Sequence, residues 1–324
     1  MRKTAISFLL ASLILFSANA SSVQAREKIN LIYASISGLF LGAWVAKEAG
    51  YFDKEDLDVN MIYIQSASTA MQALLAGEAV LALAGGEPVV ESGLQGADTV
   101  FIGGISVVPA VHFVVVPEIR SVTDLRGKPV GVTRYGSSTD FAMRQVLRRN
   151  GLDPVKDVTI LQIVAGHRAL AAALLKRAVY AATIAPPNSY RAEKGGAKIL
   201  IDMAKSGIYF PYSSIISTRS YINKNQAVTS GFLRAYSEGV KRMNNDKAFS
   251  VGVIKKYMRE EDPEILETTY KYALDFIVRV PYLNKEGVAE ILRQSSNPKA
   301  KTASPDEFID DRFVRELEQK GLYR

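Results

Sequence analysis

Cysteine is absent from all 324 residues, and histidine occurs only twice, at His112 and His167. Without cysteine there can be no disulfide, iron–sulfur cluster, Cys-ligated zinc, catalytic thiol or lipid attached at a cysteine. Two histidines are too few for a His-rich metal site. An excess of either charge is also missing: 40 Lys and Arg stand against 33 Asp and Glu, for a net charge of +7. That is small for the length, so no nucleic-acid partner is implied. The chain has no G-x-S-x-G, H-E-x-x-H, Walker A or G-x-G-x-x-G pattern, and no cofactor is called for. Beyond residue 25 no stretch approaches the roughly 18 unbroken apolar residues of a membrane-crossing helix.

What is present is a folding composition, 48% hydrophobic and 23% charged. At roughly 150 residues per domain the length predicts two domains, or one with a long extension. Residues 1–25 have the pattern of a secretory leader. Arg2 and Lys3 precede an apolar core from Ala5 to Phe16, too short for the roughly 20 residues that span a bilayer. Ala18-Asn19-Ala20 and Val23-Gln24-Ala25 both fit a signal-peptidase site, and cleavage after Ala25 is expected. An exported, unanchored chain without cysteine fits a monomer in the periplasm of a double-membraned bacterium.

Past the leader, strand and helix patterns alternate. Strands are predicted at 28–35, 59–64, 80–84, 99–103, 112–116, 129–133, 158–163 and 180–184. Helices are predicted at 37–50, 68–75, 88–94, 139–150 and 169–175. This alternation predicts an α/β chain with parallel, doubly wound sheets. After about Asn223 the pattern becomes helical only, with amphipathic segments near 226–243, 246–258, 263–275, 285–295 and 305–320. These predict a helical C-terminal extension packed on the α/β body.

The chain also repeats itself. A shift of 100 residues lays Ala73-Leu74-Leu75 on Ala173-Leu174-Leu175, and Ala82 on Ala182. Both copies run strand, polar turn, Ala/Leu helix and short strand. They end on the corners Gly85-Gly86-Glu87-Pro88 and Ala185-Pro186-Pro187-Asn188. Two similar lobes are expected, with their strand ends around a shared crevice where a ligand binds.

Three hydroxyl-rich helix starts follow strands: Ser35-Ile36-Ser37-Gly38, Gln65-Ser66-Ala67-Ser68-Thr69 and Tyr135-Gly136-Ser137-Ser138-Thr139-Asp140. Free N–H groups of a first helical turn favour an anion, and the hydroxyls add donors. Ordinary capping is the rival account of the third, since Ser137 with Asp140 fits a capping box. Glu87 either meets an amine or ring N–H of a ligand or caps its helix. Arg168 either faces an anion or is a solvated loop residue. Asn188, at the second corner, joins the candidates. Tyr209-Phe210-Pro211-Tyr212 either walls the crevice or packs between the lobes. Trp44 and His112 are expected in the core. The candidate set suits a sulfonate, carboxylate, nitrate or polar heterocycle.

The run Trp44-Val45-Ala46-Lys47-Glu48-Ala49-Gly50-Tyr51-Phe52, followed by Leu57-Asp58-Val59, resembles the opening of the nitrate/sulfonate/taurine substrate-binding proteins of ABC importers. Ala73-Leu74-Leu75-Ala76-Gly77-Glu78 and the stretch from Ser121 to Val132 are similar to later parts of the same family, as are Gly151-Leu152-Asp153-Pro154, Tyr282-Leu283 and Gly287-Val288. The likeness spans nearly all of the chain after the leader.

The resemblance implies a type 2 periplasmic-binding-protein fold: two doubly wound α/β lobes joined by two crossover segments. The first lobe is expected at 26–114 plus 213–324, the second at 115–212. Ligand contacts are implied at Ser35, Ser37, Ser66, Ser68, Gly86, Glu87, Ser137, Ser138 and Thr139. The pyrimidine synthases that share the fold carry a Cys-rich iron motif, which this chain lacks. The expected function is a solute-binding protein that delivers a small ligand to an inner-membrane ABC permease. Two rivals stand beside it. One is a lyase-like enzyme on the same scaffold, for which Glu87, Asp140 and His167 are the available acids and bases. The other is a ligand-sensing subunit.

Overall fold

A computed structural model describes residues 26–323. The leader and its cleavage site at Ala25 lie outside them. The chain builds β1 (Glu27–Tyr33), α1 (Leu41–Glu48), α2 (Tyr51–Lys54), β2 (Leu57–Tyr63), α3 (Ala67–Leu75), β3 (Leu81–Ala84), α4 (Glu87–Leu94) and β4 (Thr99–Ser106). A crossover leads to β5 (His112–Val115), β6 (Pro129–Val132), α5 (Ser138–Arg149), β7 (Thr159–Gln162), α6 (Gly166–Leu175), β8 (Ala181–Ile184), α7 (Asn188–Lys194) and β9 (Lys198–Asp202). A second crossover returns to β10 (Ser213–Thr218). Then come α8 (Arg219–Lys224), α9 (Gln226–Asn245), α10 (Lys247–Met258), α11 (Pro263–Phe276), α12 (Lys285–Gln294) and α13 (Arg312–Gln319).

Two five-stranded sheets result, ordered β2-β1-β3-β10-β4 and β7-β6-β8-β5-β9. With a shift of about one hundred residues the orders coincide, and the fourth place in each belongs to a strand that has crossed over. The backbone repeats too: Gly96 and Gly196 both take left-handed φ, +100° and +98°, where the chain turns toward β4 and β9. Only glycine adopts that region without steric cost. This is the two-lobe periplasmic-binding-protein fold.

The sheets depart from the expected parallel pattern in one respect. β10 runs antiparallel to β3 and β4, and β5 antiparallel to β8 and β9. The cause is the crossover itself, since a strand arriving from the other lobe enters from the cleft end. β9, β10 and α7 escaped the sequence reading because they are short and half polar. The helix expected at 37–50 begins instead as a 3-10 turn, Gly38–Phe40. The last predicted segment divides into a 3-10 turn, Pro305–Phe308, and α13.

Buried β-branched and leucine side chains fill each sheet, including Leu31, Ile32, Leu81 and Ile215 in the first and Val114, Val130 and Ile184 in the second. The C-terminal helices cover the first sheet. α9 crosses α1 where Gly42 and Gly239 meet, and a Cβ on Gly239 would overlap the Gly42 carbonyl and stand 2.7 Å from Ala46 Cβ. Trp44 is fully buried and stacks on Tyr257 of α10 at 4.9 Å between ring centroids. Removing a side chain of that size costs about 3–5 kcal/mol, so this contact pins the extension to the first lobe. No helix among the described residues is long and apolar enough to cross a membrane.

Candidate functional site

A cavity of about 40 Å³ lies between the sheets, at the ends of β1, β3 and β6. Ala34, Ser35, Leu39 and Phe40 enter from the segment after β1, Ser66 and Ala67 from the start of α3, and Gly85 from the first corner. Thr133, Ser137, Ser138 and Thr139 enter from the start of α5, Gly166 and His167 from the start of α6, and Tyr212 and Ser213 from the second crossover. One cavity is therefore walled by four helical N-termini, two from each lobe, with the 3-10 turn after β1 as one of them. The volume has room for about three waters or one compact polar group.

The helix starts are open. α3, α5 and α6 have no side-chain cap hydrogen bond at Ser66, Ser137 and Ala165. Their first-turn N–H groups and dipoles favour negative charge in the cavity. The anticipated capping box at Ser137 is not formed. Ser137 Oγ instead donates to Arg134 O at 2.7 Å and closes a triangle with Thr133 Oγ1 (3.1 Å) and Thr139 Oγ1 (2.9 Å), which are themselves 2.8 Å apart. The Thr133 N–H donates to Thr139 Oγ1 at 3.0 Å. These bonds fix the hydroxyl geometry of the α5 start. Asp140 accepts from the Gly136 N–H at 2.9 Å and pairs with Arg144 at 2.8 Å.

Ser138 reaches across the cleft. Its Oγ lies 2.6 Å from Glu87 Oε2, and both residues are buried. A Cβ on Gly85 would overlap Ser138 Oγ, so this approach requires glycine there. Burial pushes the Glu87 carboxyl up to about 8, against the lowering effect of its hydrogen bonds, with Asp140 adding to the rise. Glu87 Oε1 has no hydrogen-bond partner. His167 Nδ1 accepts from the Ala185 N–H at 3.1 Å, and burial lowers its pKa to about 4, although a bond to the Thr183 backbone opposes this. The ring is therefore neutral and carries its proton on Nε2. Burial pushes the Tyr212 hydroxyl upward, so it too stays protonated. No Lys or Arg lines the cavity among the described residues, and no cluster of three metal-ligating side chains occurs among them.

Of the sequence candidates, the cavity gathers Ser35, Ser66, Ser137, Ser138 and Thr139, together with His167 and, from the aromatic run, Tyr212. The others stand elsewhere. Ser37 accepts from the Leu39 N–H at 3.4 Å. Ser68 bonds Ser66 at 2.9 Å behind the wall, and Gln65 is half-buried beside them. Gly86 donates its N–H to Pro211 O at 2.9 Å, tying the first corner to the second crossover. Gly136 takes φ +68° in the turn before α5. Asn188 Oδ1 accepts from Arg191 at 2.9 Å, and Arg191 pairs with Glu260 in the loop between α10 and α11. His112 is buried against Ser189 at 2.9 Å, in the core as expected. Thr133, Gly166 and Ser213 were not foreseen. Each closes or opens an element, and a hydroxyl or glycine at a strand end was the available signal.

Further contacts join the lobes away from the cavity. Gln145 on α5 donates to Glu290 on α12 at 3.1 Å, and Arg148 to Gln294 at 2.7 Å. Lys194 on α7 donates to Asp262 at 2.8 Å. Phe141 meets Phe210 edge-on at 4.8 Å.

Comparison with known proteins adds the following. The profile of the NMT1/THI5-like family matches residues 39–248. A Bacillus subtilis (strain 168) protein provisionally named as a binding protein is 24% identical over 251 residues, covering 76% of this chain and 75% of its own. The alkanesulfonate-binding protein SsuA of Xanthomonas axonopodis pv. citri, solved with MOPS bound, superposes with a TM-score of 0.70 at 19% identity, over 89% of this chain and 96% of that one. The periplasmic aliphatic sulphonate binding protein SsuA of Escherichia coli superposes with a TM-score of 0.67 at 22% identity, over 91% and 88%.

Proposed function

This chain belongs to the NMT1/THI5-like family, and from that premise we propose that it is a periplasmic solute-binding protein of an ABC importer. It captures a small polar ligand, anionic or heteroaromatic, between its lobes and delivers it to an inner-membrane permease. The observation that carries this reading is the convergence of four helical starts, with the hydroxyls of Ser35, Ser66, Ser137, Ser138 and Thr139, on one cavity that no Lys or Arg lines among the described residues. Such a site holds a compact anion by hydrogen bonds and helix dipoles rather than by an ion pair. Sulfonates are the first class to test, since the superposed proteins bind them.

In this reading Ser35, Ser66, Ser138, Thr139 and the Nε2 proton of His167 meet the ligand. Ser37, Ser68, Gly86, Gly136, Ser137 and Asn188 hold the walls and the closed geometry. The lobes comprise 26–114 plus 213–324, and 115–212, with β5 spanning the first boundary and β10 starting at the second. The chain works as a monomer, and residues 1–25 direct export. A ligand touching both lobes shifts the open–closed equilibrium toward closed, because only the closed state makes both sets of contacts.

Binding is favoured over catalysis by the state of the available acids and bases. His167 Nδ1 is occupied by a backbone N–H, Asp140 is bonded to Gly136 and Arg144, and Glu87 is bonded to Ser138. His167 and Asp140 therefore offer no free base, and Glu87, which does not line the cavity, reaches it only through Ser138.

The test combines a thermal-shift screen with solution scattering. A ligand present at about 100 times its Kd adds roughly 2.7 kcal/mol of stability. A member of the sulfonate, carboxylate, nitrate or pyrimidine panel should raise the melting temperature and reduce the radius of gyration. A ligand that binds without compaction refutes the clamp, and turnover of a panel member refutes the binder.

A further inference from the structure

Glu87 is a buried acid at the junction of the lobes with no positive charge facing it. From α5 it meets Ser138 and, farther off, Asp140, whose own partners are Arg144 and the Gly136 N–H. From the second crossover Tyr212 is near enough to feel its charge, and Tyr272 of α11 is in turn near enough to feel that of Tyr212; both hydroxyls are pushed upward by burial and neutral. From α6 the cavity receives His167, also neutral. Glu87 Oε1 is buried without a partner, and Oε2 has only Ser138.

Ser138 Oγ carries a single proton and lines the cavity. Opposite an ionised Glu87, that proton is spent on the carboxylate, and Ser138 turns only lone pairs toward the ligand. Opposite a neutral Glu87, the acid O–H donates to Ser138 Oγ at the same 2.6 Å separation, and the Ser138 proton is released toward the cavity.

We propose that Glu87 is the specificity-determining residue of the cleft: it enters the closed state as the neutral acid, donates to Ser138, and so makes Ser138 a donor to a bound anion. The proposal rests on the reading of the cleft as an anion site. On closure one proton passes from solvent water to the Glu87 carboxylate, and on opening it returns. A carboxyl held at about 8 when closed and near 4.3 when solvated takes up that proton between those values. His167 is neutral when closed, and a solvated imidazole with a pKa near 6.5 is half protonated at the lower end of the range, so it opposes the Glu87 slope by no more than about twofold between pH 6.5 and 8. A ligand that brings its own N–H donor toward Ser138 has the opposite preference and gains as Glu87 ionises.

The probe is methanesulfonate, whose charge is constant through this range. Its Kd is measured by calorimetry at pH 6.5 to 8 for the native chain and Glu87→Gln, in buffers of different ionisation enthalpy. For the native chain the Kd should weaken roughly tenfold across the range, with more than half a proton taken up net near pH 7. Glu87→Gln presents an amide N–H to Ser138 at every pH and should lose both the slope and the uptake. A native profile that is flat and without uptake overturns the proposal, as does a variant that retains the slope. The native profile carries the test alone if the variant fails to fold. Methanesulfonate that binds at no pH overturns the anion reading itself, an outcome distinct from binding without pH dependence.

Discussion

Ser37 and Ser137 stand one repeat apart, at equivalent helix starts in the two lobes, yet their hydroxyls have different partners. Ser37 accepts from the Leu39 N–H and caps its turn. Ser137 donates to Arg134 O and joins the Thr133–Thr139 triangle, leaving α5 uncapped. The corners differ in the same sense. Gly85-Gly86 presents bare backbone that receives Ser138, whereas Ala185 gives its N–H to His167. His167 itself matches Ala67 of the first lobe. One architecture is thus used twice, once as a receiving surface and once as an inserting polar edge. Repetition supplies the scaffold, and a few side chains out of register with it supply the site.

The comparison is broken most severely by making the receiving surface resemble its counterpart. Gly85→Val should abolish ligand-induced compaction and weaken binding a thousandfold or more, about 4 kcal/mol, with an unchanged circular dichroism spectrum. Native affinity would show that the bound state does not bring Ser138 to Gly85. The next effect belongs to His167. Its folded pKa of about 4 lies below the ordinary value near 6.5. Its contribution is therefore present above 6.5 and lost as pH falls toward 4. The stability advantage of the native chain over His167→Gln should shrink by up to roughly 3 kcal/mol over that interval, followed by urea unfolding. A constant advantage would mean that the ring is not buried neutral. The smallest effect compares the two helix starts. Thr133→Val should cost about 2 kcal/mol, because it strips partners from two buried hydroxyls. Ser37→Ala should cost about 1 kcal/mol as a lost cap. Equal costs would remove the distinction between the lobes.

Much of this organisation was legible in the sequence. Alternating periods place strands and helices, and the offset of 100 relates Ala73-Leu74-Leu75 to Ala173-Leu174-Leu175, now seen on α3 and α6. The helix starts at Ser35, Ser66 and Ser137–Thr139 are legible because hydroxyls beside free first-turn N–H groups make an anion site, with capping as the competing local use. What stayed hidden is set by distant pairing. The antiparallel insertion of β10 between β3 and β4 depends on partners far away in the chain. Thr133 and Ser213 gain their place only when the lobes meet. Asn188 has the right corner position but turns to Arg191, since a guanidinium three residues on is the nearer donor.

The placement of β10 has a consequence for how the chain reaches this state. β5 to β9 follow one another without interruption, so the second sheet can close as soon as its own segment is free. The first sheet cannot, because the strand separating β3 from β4 lies beyond all of the second. Until β10 arrives, β3 and β4 have no common neighbour and their facing edges are open. The first lobe must therefore mature last and by long-range contact, the slower kind of step. The open interval between β3 and β4 is the point where a folding helper, or an unwanted edge-to-edge association, would act.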